Sequence, residues 1–443
     1  MAAEGLSRLR GFRLTPRVGA PLRYGRVSRF DGAVAGVVGC PAAAVGARCA
    51  ITTVDGRESS GEVIGFRGSE TIVALTEGSA RIGAGARVSV QGAVDSVAVG
   101  DDLLGRVWDA DGVPLDGLPA LRTHQEMPLH GVPVNPLTRG EVTERLDVGV
   151  RAVNALLSLG RGQRIGLIAG SGVGKSMLLA MLCAGTAADV VVIGLIGERA
   201  REVTAFVERG LGADARARTV VVAVTADRSP VLRLRGAHRA AAYAEYFRAQ
   251  GKQVLLLLDS LTRVGHAQRE LGLAVGEPPT VKGYPPSVMS LIPRLVERAG
   301  CDRLTGGSIT AIYTLLADGD DLFDPVVDAA RAILDGHIVL SRALAEQGIY
   351  PAIDVNASVS RVMQNVCSKP HLETARMLKR RYALYLENRD LMLMGGYQPG
   401  TDQELDTALR QHPAYLGLIT QPFDEVCDWA ASEAALRAAL DDA

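Results

Sequence analysis

Long apolar runs are missing from this chain of 443 residues: no stretch approaches the ~18 consecutive apolar residues of a membrane helix. A helical membrane anchor is therefore not expected. Aromatic residues make up 4% and tryptophan occurs twice, which leaves few platforms on which unpaired bases can stack. A net charge of -1 supplies no field that would draw the whole protein to nucleic acid or anionic lipid. The six cysteines, Cys40, Cys49, Cys183, Cys301, Cys367 and Cys427, include no CxxC pair. A zinc site is not expected, and buried free thiols in a reducing compartment are. The first residues, MAAEGLSRLRGFRLTPR, lack the apolar core of a secretory signal, so a cytoplasmic protein is expected. Lysine is scarce beside arginine, a compositional bias without mechanistic content. What is abundant is apolar: 47% hydrophobic against 22% charged residues describes a well-folded globular chain. Its length predicts two or three domains.

Residues 169–176 read AGSGVGKS, the phosphate-binding loop pattern with Ala169 where a glycine is commoner. Arg164 to Ile168 before it form a short apolar strand, and Met177 to Leu182 after it read as a buried helix. Strand, glycine loop and helix are the context that the motif requires. Gly170, Gly172 and Gly174 let the backbone curl around Ser171 and Val173, so that successive N–H groups face a phosphate. The helix N-terminus adds the positive end of its dipole. Lys175 supplies a point charge to the outer phosphates, and the Ser176 hydroxyl can ligate Mg²⁺. The expected ligand is a nucleoside triphosphate with Mg²⁺.

Four segments follow from the pattern along the chain. Residues 1–25 carry Arg8, Arg10, Arg13, Arg17 and Arg23 against Glu4, with leucines interspersed. That reads equally as an amphipathic docking helix and as a solvated basic tail. Over 26–97 short strand-like runs such as Ala33 to Val38, Gly61 to Phe66 and Thr71 to Leu75 predict a small β-barrel. Over 98–370 a loop-rich connection leads into apolar strands alternating with helical stretches. Val190 to Ile196, Thr219 to Val224, Val254 to Leu258 and Ser308 to Leu315 have the near-continuous apolar character of parallel strands buried on both faces. Residues 371–443 are rich in Ala, Leu and Arg and predict a helical C-terminal domain.

Two carboxylates stand at strand ends. Gln253 to Asp259 is an apolar strand ending in Asp259, the place where phosphate-loop enzymes hold Mg²⁺ through its water shell. Gly197-Glu198-Arg199-Ala200-Arg201-Glu202 follows directly on the strand Val190 to Ile196. Glu198 there can polarise an attacking water, or the segment can be a charged connection capping a surface helix.

AGSGVGKS, GERAREV, LLLLDSLTR, GYPPSV and SVSRV, in this order and spacing, make the chain similar to the hexameric protein-export ATPases of type III secretion. Those are relatives of the catalytic and non-catalytic subunits of the rotary ATP synthase. The resemblance runs from about residue 22 to the C-terminus. Asn388 to Leu391 and Gly396 to Asp402 favour the flagellar branch over the injectisome branch. The implied fold is an α/β RecA-like core with a parallel sheet, preceded by a small β-barrel and followed by a helical domain. The resemblance makes Lys175, Glu198 and Arg361 catalytic, with Glu198 polarising water and Arg361 acting as an arginine finger in the neighbouring subunit's site. It makes Tyr350 the residue stacked on adenine, with Phe423 helping to close the base pocket. Arg201 would support phosphate or the Glu198 loop. Ala169 departs from the glycine pattern, and Met289 stands where a large aromatic is more familiar.

The implied function is ATP hydrolysis driving export of flagellar proteins by a homohexameric ring. The implied partners are a stator-like regulator at the N-terminal segment, a central stalk at the pore loop around Tyr284, an export gate, and secreted substrates with their chaperones. The implied location is the cytoplasm, at the inner membrane face of the export apparatus. A rotary synthase subunit fits less well. No acidic run like that of the catalytic subunit occurs between 375 and 443, and Glu198 is present where the non-catalytic subunit lacks its counterpart. A nucleic-acid translocase resembling the terminator Rho needs aromatic stacking residues in its N-terminal domain, and the barrel segment offers only Phe30 and Phe66. No nucleic-acid partner is expected.

Overall fold

Period-two alternation builds the first compact unit, which ends at Ala93. The computed structural model describes residues 24–40, 43–77, 81–123, 125–132, 134–316 and 324–441, so the basic N-terminal segment lies outside the described residues up to position 23. Strands β1 (Tyr24–Phe30), β2 (Val34–Val38), β3 (Ala47–Thr52), β4 (Glu58–Arg67), β5 (Glu70–Leu75) and β6 (Arg87–Ala93) close into an antiparallel barrel, in the order β1-β2-β5-β4-β3-β6. Along β4, buried residues alternate with more exposed ones from Glu58 to Gly65, as inward and outward positions of a small barrel must. Val27, Val37, Ile51, Val63, Val73 and Val88 fill the interior.

The second unit starts at Val94. Strand β7 (Ser96–Val99) belongs to it, because it pairs with β9 (Gln125–Pro128). Between them lies β8 (Val107–Trp108). The core strands are β10 (Arg164–Ala169), β11 (Val190–Glu198), β12 (Thr219–Thr225), β13 (Gln253–Asp259), β14 (Ser308–Leu316), β15 (Gly336–Leu340) and β16 (Ile353–Ser360). They lie in the order β16-β15-β10-β14-β13-β11-β12-β8. Every pairing along this path is parallel except β15 with β16.

The apolar runs read as doubly buried strands are just that. On β11, Val190, Val192 and Ile196 face one core, while Val191, Ile193 and Leu195 face another. The first core is covered by α2 (Pro230–Ala249), α3 (Leu261–Val275), α4 (Pro286–Val296) and α5 (Pro325–Ile333). Met289 is partly buried against it. The second holds α1 (Lys175–Gly185) and the C-terminal helices α6 (Lys369–Leu393), α7 (Gln403–Ile419) and α8 (Trp429–Asp441), through Leu178, Leu378, Tyr415 and Leu436. Ser260 caps α3 by accepting from the Arg263 N–H, and Asp402 caps α7 by accepting from Glu404 and Leu405, each satisfying donors that the first turn leaves free.

One charge pair is built into the first core. Arg298 donates to both carboxylate oxygens of Glu245, at 2.9 and 2.6 Å, and to the Leu129 carbonyl at 2.9 Å. Burial, and then the charge of Arg298, hold the adjacent His238 ring well below the usual imidazole range, so it packs there neutral. Removing one partner of such a buried pair leaves a desolvated charge, which costs roughly 3–5 kcal/mol. Glu245→Ala is therefore expected to lower stability by that amount in equilibrium urea unfolding. A loss below about 1 kcal/mol would show that the pair contributes little.

Candidate active site

The phosphate loop is a left-handed turn made possible by glycine. Gly172 has φ 80° and Gly174 has φ 91°, values that residues with a Cβ rarely adopt. A Cβ on Gly174 would also stand 3.3 Å from the Tyr350 ring. Gly174 is the N-cap of α1, so the helix N-terminus opens directly on the loop. Val173 is buried and anchors the turn, Gly170 is buried below it, and Ser171 and Ser176 are exposed.

Lys175 lies between the two strand-end carboxylates. Its Nζ donates to Glu198 Oε1 at 3.1 Å and to Asp259 Oδ1 at 2.5 Å. Glu198 and Asp259 are buried, as the carboxyl ends of interior strands must be. Thr314, on β14 beside β13, donates to Asp259 Oδ1 at 2.6 Å and fixes that carboxylate. Arg263 Nε stands 3.5 Å from Glu198 Oε1. Gly197 permits this approach: its φ is 77°, and a Cβ there would meet Arg263 Cδ at 2.8 Å. Arg263 and Thr314 are further members of the site, beyond the residues singled out by motif. For Arg263 a signal exists, because four residues past Asp259, on the first turn of α3, the chain returns to the strand end. For Thr314 only the strand order brings it there.

Ser176 and Asp259 offer a hydroxyl and a carboxylate, the hard oxygen donors that suit Mg²⁺. Two protein ligands with the rest from water and phosphate is the usual arrangement for that ion. Among the described residues no group of three His, Cys, Asp or Glu forms a dedicated metal cage.

Beside the loop is a cavity of about 360 Å³, whose lining includes Gly174, Met177, Met181, Tyr350 and Phe423. Tyr350 and Phe423 are 38% and 66% exposed. Two aromatic faces over an apolar floor suit a planar base next to a phosphate site.

Arg361 is not brought to this cluster. Ser360 pairs with Gly336 at the amino end of β15, and the Arg361 N–H donates to the Asp335 carbonyl at 2.9 Å. Asp335 in turn binds Arg164, at the start of β10, at 3.1 Å. The whole of β10, six residues from Arg164 to Ala169, separates Arg361 from its own phosphate loop, roughly 17–20 Å at strand rise. Arg361 is exposed. Arg201 is exposed on the short helix Ala200–Ala205, and the guanidinium in ion-pair range of Glu198 is that of Arg263.

Tyr284, in the loop where a stalk is expected, is itself buried. Its ring is 2% exposed, with the hydroxyl 3.2 Å from Asp324 Oδ2 and the ring stacked beside His266. A partner at this loop would meet its outer turn, where Val281 is 70% exposed, rather than the tyrosine. The intervening segment curls back on itself, with the Thr280 N–H donating to the Tyr284 carbonyl at 2.9 Å, and that turn directs the side chain into the core.

The ATP synthase alpha/beta family, nucleotide-binding domain, matches residues 149–360, and the T3SS EscN ATPase C-terminal domain matches residues 367–438. The flagellum-specific ATP synthase of Salmonella typhimurium is 50% identical over 94% of this chain and 93% of its own length. That of Pseudomonas aeruginosa is 48% identical over 95% and 94%. The assembled ATPase EscN of the enteropathogenic E. coli type III secretion system, in complex with its central stalk EscO, superposes with a TM-score of 0.84 at 39% identity, over 94% of this chain and all of that one. With likeness on this scale and the barrel, parallel sheet and C-terminal helices in the same order, the chain belongs to the ATP synthase alpha/beta family, in the branch of the flagellum-specific ATP synthases and their type III secretion relatives.

Proposed function

We propose that this protein hydrolyses ATP, with Mg²⁺, in sites shared between adjacent copies of a homohexameric ring, and that turnover drives export of flagellar proteins through a type III secretion apparatus. The observation that carries the shared-site reading is the separation of Arg361 from the Lys175–Glu198–Asp259 cluster by the length of β10. A transition-state charge clamp completed only by a neighbouring copy makes assembly and catalysis one event.

Within one site the roles follow from position. Loop N–H groups and Lys175 hold the phosphates. Tyr350 and Phe423 hold the base, and Glu198 polarises the attacking water. Arg361 of the adjacent copy neutralises charge that develops on the γ-phosphoryl group. Ser176 and Asp259 would hold Mg²⁺, which when bound would supply further charge neutralisation at the phosphate oxygens. Arg263, close to Glu198, orients that carboxylate, and the exposed Arg201 supports phosphate or the Glu198 loop.

The flagellar reading rests on the 48–50% identity to two flagellum-specific relatives, a few points above the 45% and 43% to type 3 secretion system ATPases. The central stalk in the EscN complex supports a central stalk here too, which we place at the loop around Tyr284, whose outer turn carries the exposed Val281. A stator-like regulator at residues 1–25, an export gate, chaperones and secreted substrates complete the set of partners. The proposed location is cytoplasmic, peripheral to the inner membrane. Among the described residues no helix is long and apolar enough to cross a membrane.

Specific ATPase activity is expected to climb with protein concentration, because assembly creates the sites. Activity per milligram that stays constant from nanomolar to micromolar protein would overturn the shared site.

A further inference from the structure

We infer that Gln421 is a positioning residue: it sets the width of the base slot and ties that slot to the C-terminal helices and to the far end of the phosphate-loop helix. The inference rests on the reading of the Tyr350–Phe423 cavity as the base site.

Gln421 lies just past α7 and is buried, at 3% exposure. Its main-chain N–H donates to the Tyr350 carbonyl at 2.9 Å. Phe423, which also lines the cavity, is two residues further on. The two aromatic faces are thus held apart by one peptide hydrogen bond and a two-residue step. The side chain uses both of its donors and its acceptor oxygen. Nε2 donates to the Gly149 carbonyl at 2.9 Å and to the Glu425 carbonyl at 2.8 Å, and Oε1 accepts from the Arg151 N–H at 2.7 Å. A buried amide satisfied on both ends is a rigid spacer, since breaking any one bond leaves a desolvated polar group.

The segment it grips runs on to α1. Gly149 has φ 69°, and a Cβ there would stand 2.5 Å from Gly185 Cα, the last residue of α1. Asp147 accepts from the Trp429 N–H at 2.7 Å, at the start of α8, and its carbonyl accepts from the Ala187 N–H at 2.9 Å. One continuous set of hydrogen bonds and close contacts, main-chain and side-chain, therefore runs from the base-stacking tyrosine through Gln421 to the end of the phosphate-loop helix and to α8. Nothing in it touches phosphate, so its loss should act on the base and spare the phosphate.

The test measures affinity for ATP and for inorganic tripolyphosphate, by calorimetry on the full-length protein, for wild type and Gln421→Glu. The glutamate keeps the shape but sets carboxylate oxygens against two carbonyls. The ratio of ATP to tripolyphosphate affinity should drop roughly tenfold, the equivalent of one lost buried hydrogen bond. KM for ATP should rise by the same factor with kcat within about twofold. Gln421→Asn, of like chemistry but too short to span both carbonyls, should shift the ratio in the same direction by less. This variant decides the matter if the glutamate fails to fold. An unchanged ratio in both variants, or equal loss of both ligands, overturns the role of Gln421. A wild-type ratio near one would instead sink the base-slot reading itself.

Discussion

Arg361→Ala is expected to lower kcat by a factor of about 10³–10⁵, the range over which an arginine finger accelerates phosphoryl transfer, while nucleotide affinity stays close to wild type. The asymmetry follows from where the charge acts. In the proposed ring Arg361 would face a neighbour's γ-phosphoryl group, whose charge shifts most in the transition state, so its loss should be felt in turnover rather than in binding. Steady-state kinetics beside nucleotide titration separates the two. Mixing Arg361→Ala with Glu198→Gln protein should then restore part of the activity. In mixed rings some interfaces pair an intact Glu198 with an intact Arg361 from the adjacent copy. If confirmed hexamers recover nothing at any ratio, both residues serve one chain's nucleotide, and the separation along β10 has been misjudged.

Glu198→Gln is the second large effect: ATP should bind and turn over about 10²–10⁴ times more slowly, the usual contribution of a positioned base. Binding should survive because Lys175 keeps its contact with Asp259 at 2.5 Å and the glutamine amide can still accept from it. What is lost is the charge that polarises water. Removing a carboxylate from beside the phosphates should, if anything, tighten ATP binding. Single-turnover hydrolysis with a parallel binding measurement tests this, and near-normal turnover would remove Glu198 from the mechanism.

How much of this was legible in the chain differs from residue to residue. AGSGVGKS carried its own geometry: the left-handed glycines 172 and 174 and the helix start at Lys175 are local consequences of residue type. The doubly buried strands were legible for the same reason, because an apolar run without polar relief can only lie between two layers. Glu198 was ambiguous from its spacing, as a strand-to-helix turn rich in charge serves equally as a cap. Only the placement of β11 and β13 on the same side of β10 carries Glu198 and Asp259 to the two sides of Lys175. Tyr284 was legible only as part of a loop: the fold sends its ring inward to His266 and Asp324 and leaves Val281 exposed at the turn.

The sequence by itself determined that a phosphate site exists, on which strand and at which helix end, and that a barrel precedes it and helices follow. Those are properties of short windows, set by backbone freedom and by the period of apolar residues. Tertiary structure alone decided that Thr314 joins the carboxylates, that Gln421 spans Tyr350 and Gly149, and that Arg361 stands at the opposite end of the sheet from its own loop. These depend on strand order and on contacts between residues far apart in the chain, which no local pattern encodes.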